Sequence, residues 1–140
     1  MKTDTLWTSI VGGLTASITY LIGGVDELAI ALGILMIIDY VLGLSVAWTV
    51  RKNVESRKMF KGLLKKMAML FMVIVAVQMD NATNSGDFMR NAMILFLIGM
   101  EGISFIENLG HLGIKVPSFI KDAFTQLQND NDDKKSGDNK

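Results

Sequence analysis

The sequence predicts an all-α membrane protein with three to four transmembrane helices, a short amphipathic C-terminal helix and a polar tail. Three observations predict this class. Half of the 140 residues are apolar, the apolar residues form four long blocks, and half of the 14 basic residues fall within the single stretch 51–66. A helix needs about 20 apolar residues to cross a bilayer core of about 30 Å, and each block is near that length.

The first block, residues 6–25, has two different faces when it is drawn as a helix. One face is apolar, and the other holds small uncharged residues that include Gly12 and Ala16. A helix lying among lipid headgroups normally carries Lys or Arg on its polar face, so this pattern favours a spanning helix whose small face packs closely or meets water. An interfacial helix is the alternative. If the block spans, both termini are cytoplasmic.

The second block, residues 28–50, is the most apolar and contains Asp39 as its only charge. The stretch that follows has one acid, Glu55, against seven bases. By the positive-inside rule this stretch is cytoplasmic, and we assign its bases to membrane orientation and to contact with lipid headgroups. These bases are Arg51, Lys52, Arg57, Lys58, Lys61, Lys65 and Lys66.

Two further blocks, residues 63–79 and 91–109, predict an outgoing and a returning helix joined by a polar external connector. Gly113 and Pro117 then predict a helix break at the membrane surface. Residues 118–127 have an apolar side and predict a short amphipathic helix, which completes a transmembrane domain of residues 1–127. Residues 128–140 are Asn, Asp, Lys, Ser and Gly for the most part, and predict a disordered charged tail.

The candidate functional residues are ionisable or small side chains within the apolar blocks. An acid inside a membrane segment requires a partner, a proton or water, and small residues on the same face let another helix approach. We therefore expect these faces to pack between helices at rest and to line an aqueous opening when copies rearrange. A purely structural role within one protomer is the alternative. The candidates are Asp39, Gly43, Ala47, Glu101, Gly102, Ser104, Asn108, Gly12 and Ala16.

The sequence offers little for catalysis. It has no cysteine and a single histidine, His111, which excludes disulfides and clustered Cys or His metal sites. It contains no Gly-rich phosphate loop and no nucleophile elbow. The net charge of zero does not favour a nucleic-acid partner. We expect no enzyme activity, no cofactor and no metal.

Several short motifs in a fixed order resemble one known family. The first is Asp39-Tyr40-Val41-Leu42-Gly43, followed by Ala47, a basic stretch with Ser56, and Gly62 before Lys65-Lys66. The second is Glu101-Gly102-Ile103-Ser104-Phe105-Ile106-Glu107-Asn108, followed by Gly113 and Val116-Pro117. Over residues 28–125 the chain resembles the phage-lysis and toxin-secretion holins of Gram-positive bacteria and their phages.

The resemblance implies a protein that accumulates and oligomerises in the bacterial cytoplasmic membrane and then opens lesions. The lesions release an endolysin without direct contact, or a toxin in some relatives, and an antiholin is a further partner that the resemblance admits. Asp39, Gly43, Glu101, Ser104, Asn108 and Pro117 fall on recurring positions of the family. Two other hypotheses remain open, a small ion-conducting or transport protein and an antiholin or membrane scaffold.

Overall fold

A computed structural model of the protein describes the backbone of residues 2–52 and 54–136, and the side chains as far as Asp130. The described residues form five α-helices and no strand, which confirms the all-helical class. The helices are α1 (Lys2–Leu21), α2 (Glu27–Thr49), α3 (Ser56–Thr83), α4 (Phe88–His111) and α5 (Ser118–Ser136).

Local signals explain where the helices begin and end. Asp26 precedes α2, and its carboxylate accepts a hydrogen bond from the Ala29 amide at 2.9 Å, as an N-cap residue does. The chain ends α3 with Asn84 in the left-handed conformation, and it turns at Gly113 (φ 80°) after α4. Both positions suit residues that tolerate positive φ, and Gly113 lies where the sequence predicts the break.

The core lies between α2, α3 and α4. Its buried residues recur every three or four positions along each helix, so each helix turns one apolar stripe inward. They are Leu32, Met36, Met69, Val73, Ile94, Leu97 and Ile98. We call the end where residues 50–55 join α2 to α3 the loop end of the bundle, and the opposite end, where α4 begins, the Arg90 end.

Two of the helices, α2 and α4, are long and apolar enough to cross a membrane by length and composition. By this criterion the described residues contain two such helices, where the sequence predicts three to four. Helix α3 begins at Ser56, seven residues before the predicted block, because the basic segment 56–62 continues the helix rather than forming a loop. These seven residues add about two polar turns and make the helix longer and less apolar than the predicted block.

The outer helices depart most from expectation. Helix α1 buries no residue and makes at most slight contact with the remainder of the chain. Helix α5 packs along α4 and continues to Ser136, past the predicted end at residue 127. Residues 128–136 are thus helical where the composition predicts a disordered tail, because the backbone continues the helix that packing against α4 begins. Residues 137–140 of that tail lie outside the described residues.

Candidate functional site

A cluster of charged side chains lies in the middle of the bundle and joins α2, α3 and α4. The Lys66 ammonium donates hydrogen bonds to Asp39 Oδ2 at 2.8 Å and to Glu101 Oε2. The Asn108 amide donates to Asp39 Oδ1 at 2.9 Å. Asp39 and Glu101 are only 8% and 1% exposed, so these bonds replace the water that both carboxylates lose on burial. We call Asp39, Lys66, Glu101 and Asn108 the ion cluster.

Helix periodicity places each member of the ion cluster. Asp39 follows Leu32 and Met36 on the buried stripe of α2. Lys66 precedes Met69 and Val73 by three and seven residues, so it lies on the buried stripe of α3. Glu101 likewise continues the buried stripe of α4. The cluster is therefore the polar continuation of the apolar core toward the loop end.

The structure corrects the assignment of Lys66 to lipid headgroups. Its side chain is 13% exposed and bonded inside the bundle, so it cannot extend to a membrane surface. Lys65, one position away, is exposed, and its assignment to lipid headgroups stays a prediction. The sequence contained a signal for this difference, since only Lys66 shares the spacing of the buried methionine and valine of α3 and two buried acids required a cation.

The charges of the ion cluster do not balance when all three groups are ionised, because two carboxylates face one ammonium. Burial makes an uncompensated charge costly, so each of the three charged groups depends on the others. No buried side-chain nitrogen or oxygen among the described residues lacks a hydrogen-bond partner. The cluster therefore ties three helices together through interactions that removal of a single member would unbalance.

A cavity of about 410 Å³ leads from the loop end to the ion cluster, between α2 and α3. Asp39, Lys66 and Asn108 line its inner part, and Ser104 lies beside them. Gly43 and Ala47 form part of the wall on α2, and the Asn108 amide nitrogen lies 3.8 Å from where a Gly43 Cβ would be. Five sequence candidates thus come together at this cavity, and Glu101 adjoins it through Lys66. These five are Asp39, Gly43, Ala47, Ser104 and Asn108.

The remaining small-residue candidates lie elsewhere. Gly12 and Ala16 are exposed on α1, and a Cβ on Gly12 would meet no atom within 4 Å. Gly102 is buried under the Phe124 ring of α5. A Cβ on Gly99, one turn away, would lie 2.8 Å from the Phe124 carbonyl oxygen. The close approach of α5 to α4 therefore requires glycine at both positions, of which the sequence pattern indicated only Gly102.

A second buried charge, Arg90, holds the opposite end together. Its guanidinium donates to both oxygens of Asp26, at 2.7 and 3.1 Å, and to the carbonyl oxygens of Ile22 and Gly24. Arg90 is 1% exposed and fastens the turn between α1 and α2 to the start of α4. The hydrogen bonds from Arg90 and from the Ala29 amide lower the pKa of Asp26 from 3.8 to about 2.

Asp80 supplies the cap that α4 lacks from its own preceding residue. Its carboxylate accepts hydrogen bonds from the Met89 and Arg90 amides at 2.9 and 2.8 Å, and from the Ser85 hydroxyl. Sequence reasoning read this region as a polar connector and did not identify Arg90 or Asp80. Their only sequence signal was an arginine beside an apolar block with acids at the neighbouring block ends.

The two charged layers are separated by the apolar core. Lys66 and Asp80 are 14 residues apart in α3, which corresponds to about 21 Å along a helix. This apolar interior is thinner than the roughly 30 Å hydrocarbon core of a bilayer.

Comparison with known proteins identifies relatives of this chain. A family model described as the bacteriophage holin family matches residues 16–129. The probable holin of Bacillus phage phi105 is 37% identical over 115 residues, covering 82% of this chain and 84% of that protein. The uncharacterized protein YqxH of Bacillus subtilis is 36% identical over 117 residues, covering 84% and 82%. No solved structure matches the chain.

Proposed function

Because this chain belongs to the bacteriophage holin family, we propose that it is a holin that oligomerises in the bacterial cytoplasmic membrane and opens lesions for host lysis. The lesions release an endolysin, which requires no direct contact with this chain. Membrane lipids and further copies of the chain are the direct partners, and an antiholin is a candidate regulator. The candidate functional residues act by packing copies of the chain together and not by catalysis.

One observation carries the lesion-forming role: at the same level along its axis, the bundle has one polar exposed surface and one apolar exposed surface. Phe124 and Gln128 of α5 lie against Gly102 and Gly99, near the middle of α4. The outward side of α5 at this height is exposed and polar, through Lys121, Asp122, Gln126, Asn129 and Asp130. Hydrocarbon cannot solvate such a surface, so the α5 side requires water or protein.

The exposed sides of α2 and α3 suit lipid. They expose large apolar side chains, which are Ile30, Ile34, Ile37, Val41, Leu64, Phe71 and Val75. A single protomer in lipid cannot satisfy both of its sides. Several protomers can, by turning their α5 sides toward a common aqueous centre and their α2 and α3 sides toward lipid.

The direction of the helices supports three spans. The start of α2 and the start of α4 lie together, since Asp26 pairs with Arg90 at 2.7 Å, and Asp39 and Asn108 pair further along both helices. Helices α2 and α4 are therefore parallel. If both cross the membrane, α3 joins the end of one to the start of the other and must cross in the opposite direction.

The charge distribution orients these spans. The basic stretch begins at the loop end and continues into the first turns of α3, and we place this end on the cytoplasmic side by the positive-inside rule. The Arg90 end is then external, and α5 begins on the cytoplasmic side. We propose that α1 spans as well, with Gly12 and Ala16 facing another copy, because its apolar residues are exposed in the isolated protomer. Both termini are then cytoplasmic.

Induced expression of the full chain in a bacterial host tests the proposal. We expect a delay, then abrupt growth arrest with loss of membrane potential measured by a potential-sensitive dye. Asp39→Asn is expected to shift or abolish the arrest, whereas Glu107→Gln, which alters an exposed carboxylate on α4, is expected to leave it unchanged. Equal membrane content of all variants is checked by immunoblot.

A second candidate function is ion conduction at a constant low rate. The observation that favours it is the cavity, which brings one end of the bundle into contact with an unbalanced pair of buried acids. A conducting protein would depolarise cells gradually in proportion to its amount. A scaffold or antiholin would cause no arrest when expressed alone, so the same expression experiment separates the three.

A further inference from the structure

The cavity between α2 and α3 has a chemical character that its role as a path to the ion cluster does not explain. Helices α2 and α3 make little contact with each other, which leaves room for the cavity between them. The cavity lining includes apolar side chains, Leu44, Val54 and Met59, and basic ones, Arg51, Lys58 and Lys65. A compartment lined by both apolar and cationic side chains matches an amphiphile with an anionic headgroup.

The cations around the cavity are not equally neutralised. Lys66 is bonded to Asp39 and Glu101, and Lys58 lies 3.5 Å from the Glu55 carboxylate. Arg51 and Lys65 have no acidic partner within 4 Å among the residues that the structure describes. The two free cations, Arg51 in the loop after α2 and Lys65 in the third turn of α3, both line this one cavity.

We propose that this cavity binds the phosphate group of an anionic phospholipid of the cytoplasmic leaflet, with Arg51 and Lys65 as the phosphate-binding residues. The inference rests on the proposed membrane placement, which puts the loop end at the cytoplasmic surface. Guanidinium and ammonium groups both bind phosphate oxygens, and basic pockets between membrane helices bind anionic headgroups. The apolar wall receives the part of the lipid next to the phosphate.

The apolar wall favours a lipid over a soluble anion. A free phosphate would gain nothing from Leu44, Val54 and Met59. A phospholipid would cover this wall, and Val50 and Val54, which are about half exposed at the mouth, would contact its chains. The occupant would also fill the cavity between α2 and α3, so it is expected to stiffen the loop end.

The chain contains its own matched control. Arg57 and Lys61 belong to the same basic stretch, are exposed, and do not line the cavity. If the basic stretch attracted anionic lipid only through its total charge, loss of either pair would weaken binding equally. If the cavity is a site, loss of Arg51 and Lys65 has the larger effect.

Native mass spectrometry of the full chain in detergent, titrated with phosphatidylglycerol or phosphatidylcholine, tests the site. We expect wild type to bind one phosphatidylglycerol more tightly than phosphatidylcholine. The double variant Arg51→Gln with Lys65→Gln is expected to lose that preference, with affinity falling roughly 10- to 30-fold for two removed cations. The double variant Arg57→Gln with Lys61→Gln is expected to keep it.

Three outcomes would overturn the inference: equal losses in both double variants, no preference for phosphatidylglycerol in wild type, or displacement of the lipid by millimolar glycerophosphoglycerol. The last would identify the occupant as a soluble phosphate diester. The failure of the proposed function would look different, because a chain that binds this lipid normally and causes no growth arrest keeps the site and loses the holin role. Circular dichroism of both variants checks that they fold.

Discussion

Lys66 is the residue that neutralises the largest number of buried charges. It neutralises two carboxylates that come from different helices, and its side chain is largely enclosed. A buried ion pair contributes little net stability, but the loss of one partner leaves a buried charge unpaired and strongly destabilises the fold. The ion cluster is thus where the bundle is most sensitive to a single change.

We expect Lys66→Met to destabilise the bundle by about 3–5 kcal/mol, since it leaves two buried carboxylates without a cation. Lys65→Met removes the same charge from an exposed position and is expected to change stability by less than about 0.5 kcal/mol. Thermal unfolding in detergent measures both. Adding Asp39→Asn and Glu101→Gln to Lys66→Met is expected to recover part of the loss, and no recovery would contradict the charge argument.

Asp26 predicts an acid dependence of the Arg90 end. Its pKa is lowered to about 2 in the folded protein, so its contribution to stability is complete above the unfolded value near 3.8 and is lost as the pH falls toward 2. Asp26→Asn removes this contribution and is expected to flatten the dependence of unfolding temperature on pH between about 4 and 2. An unchanged slope in the variant would contradict the assignment.

At the scale of the elements, the contact between α4 and α5 depends on close approach. Gly99 and Gly102 allow the backbone and the Phe124 ring of α5 to lie directly against α4. Gly33 of α2 offers a contrast, since a Cβ there would meet no atom within 4 Å. The two helices therefore differ in how they tolerate a single added methyl group.

We expect Gly99→Ala to loosen α5, because the added carbon would lie 2.8 Å from the Phe124 carbonyl oxygen and 2.9 Å from the Gln128 amide nitrogen. Limited trypsin digestion in detergent should then cleave after Lys121 several-fold faster than in wild type. Gly33→Ala should leave cleavage unchanged and raise helix stability by up to about 1 kcal/mol. Equal cleavage rates in the two variants would show that α5 does not pack on Gly99.

The whole molecule is defined by its opposed surfaces. Its interior consists of three successive layers, which are the charges at the Arg90 end, the apolar core and the ion cluster. Its surface exposes large apolar side chains on α2 and α3 and polar side chains on α5. This asymmetry makes an isolated protomer in lipid unfavourable and a ring around water favourable. The lesion-forming role that we propose belongs to this scale, because no single residue carries it.

A triple variant tests the asymmetry. Asp122→Leu, Gln126→Leu and Asn129→Leu make the exposed side of α5 compatible with lipid, so we expect the chain to insert normally while growth arrest is lost or delayed. A second variant makes the opposite kind of change on α2 and α3, where Ile34→Asn and Val75→Asn replace exposed apolar side chains with polar ones. This variant is expected to impair insertion instead. Membrane fractionation and dye release from cells measure the two effects. Arrest with wild-type timing in the triple variant would exclude α5 from the lesion wall.

Sequence patterns determined the features that depend on local periodicity and composition. The helical class, the two strongest spans and the break at Gly113 follow from apolar runs and turn residues, which act within a few positions of the chain. The functional interest of Asp39 and Glu101 follows in the same way, because an acid in an apolar segment must find a partner wherever the chain folds.

Only the tertiary structure decided which partners these residues meet. Lys66 reaches Asp39 across 27 positions and Arg90 reaches Asp26 across 64, and no local pattern specifies such pairings. The packing of α5 on Gly99 and Gly102 likewise depends on how the chain folds back after α4, which brings Phe124 and Gln128 against these glycines. Periodicity states which side of a helix is buried, whereas the choice of neighbour depends on how whole helices fit together, and that choice is made by the fold.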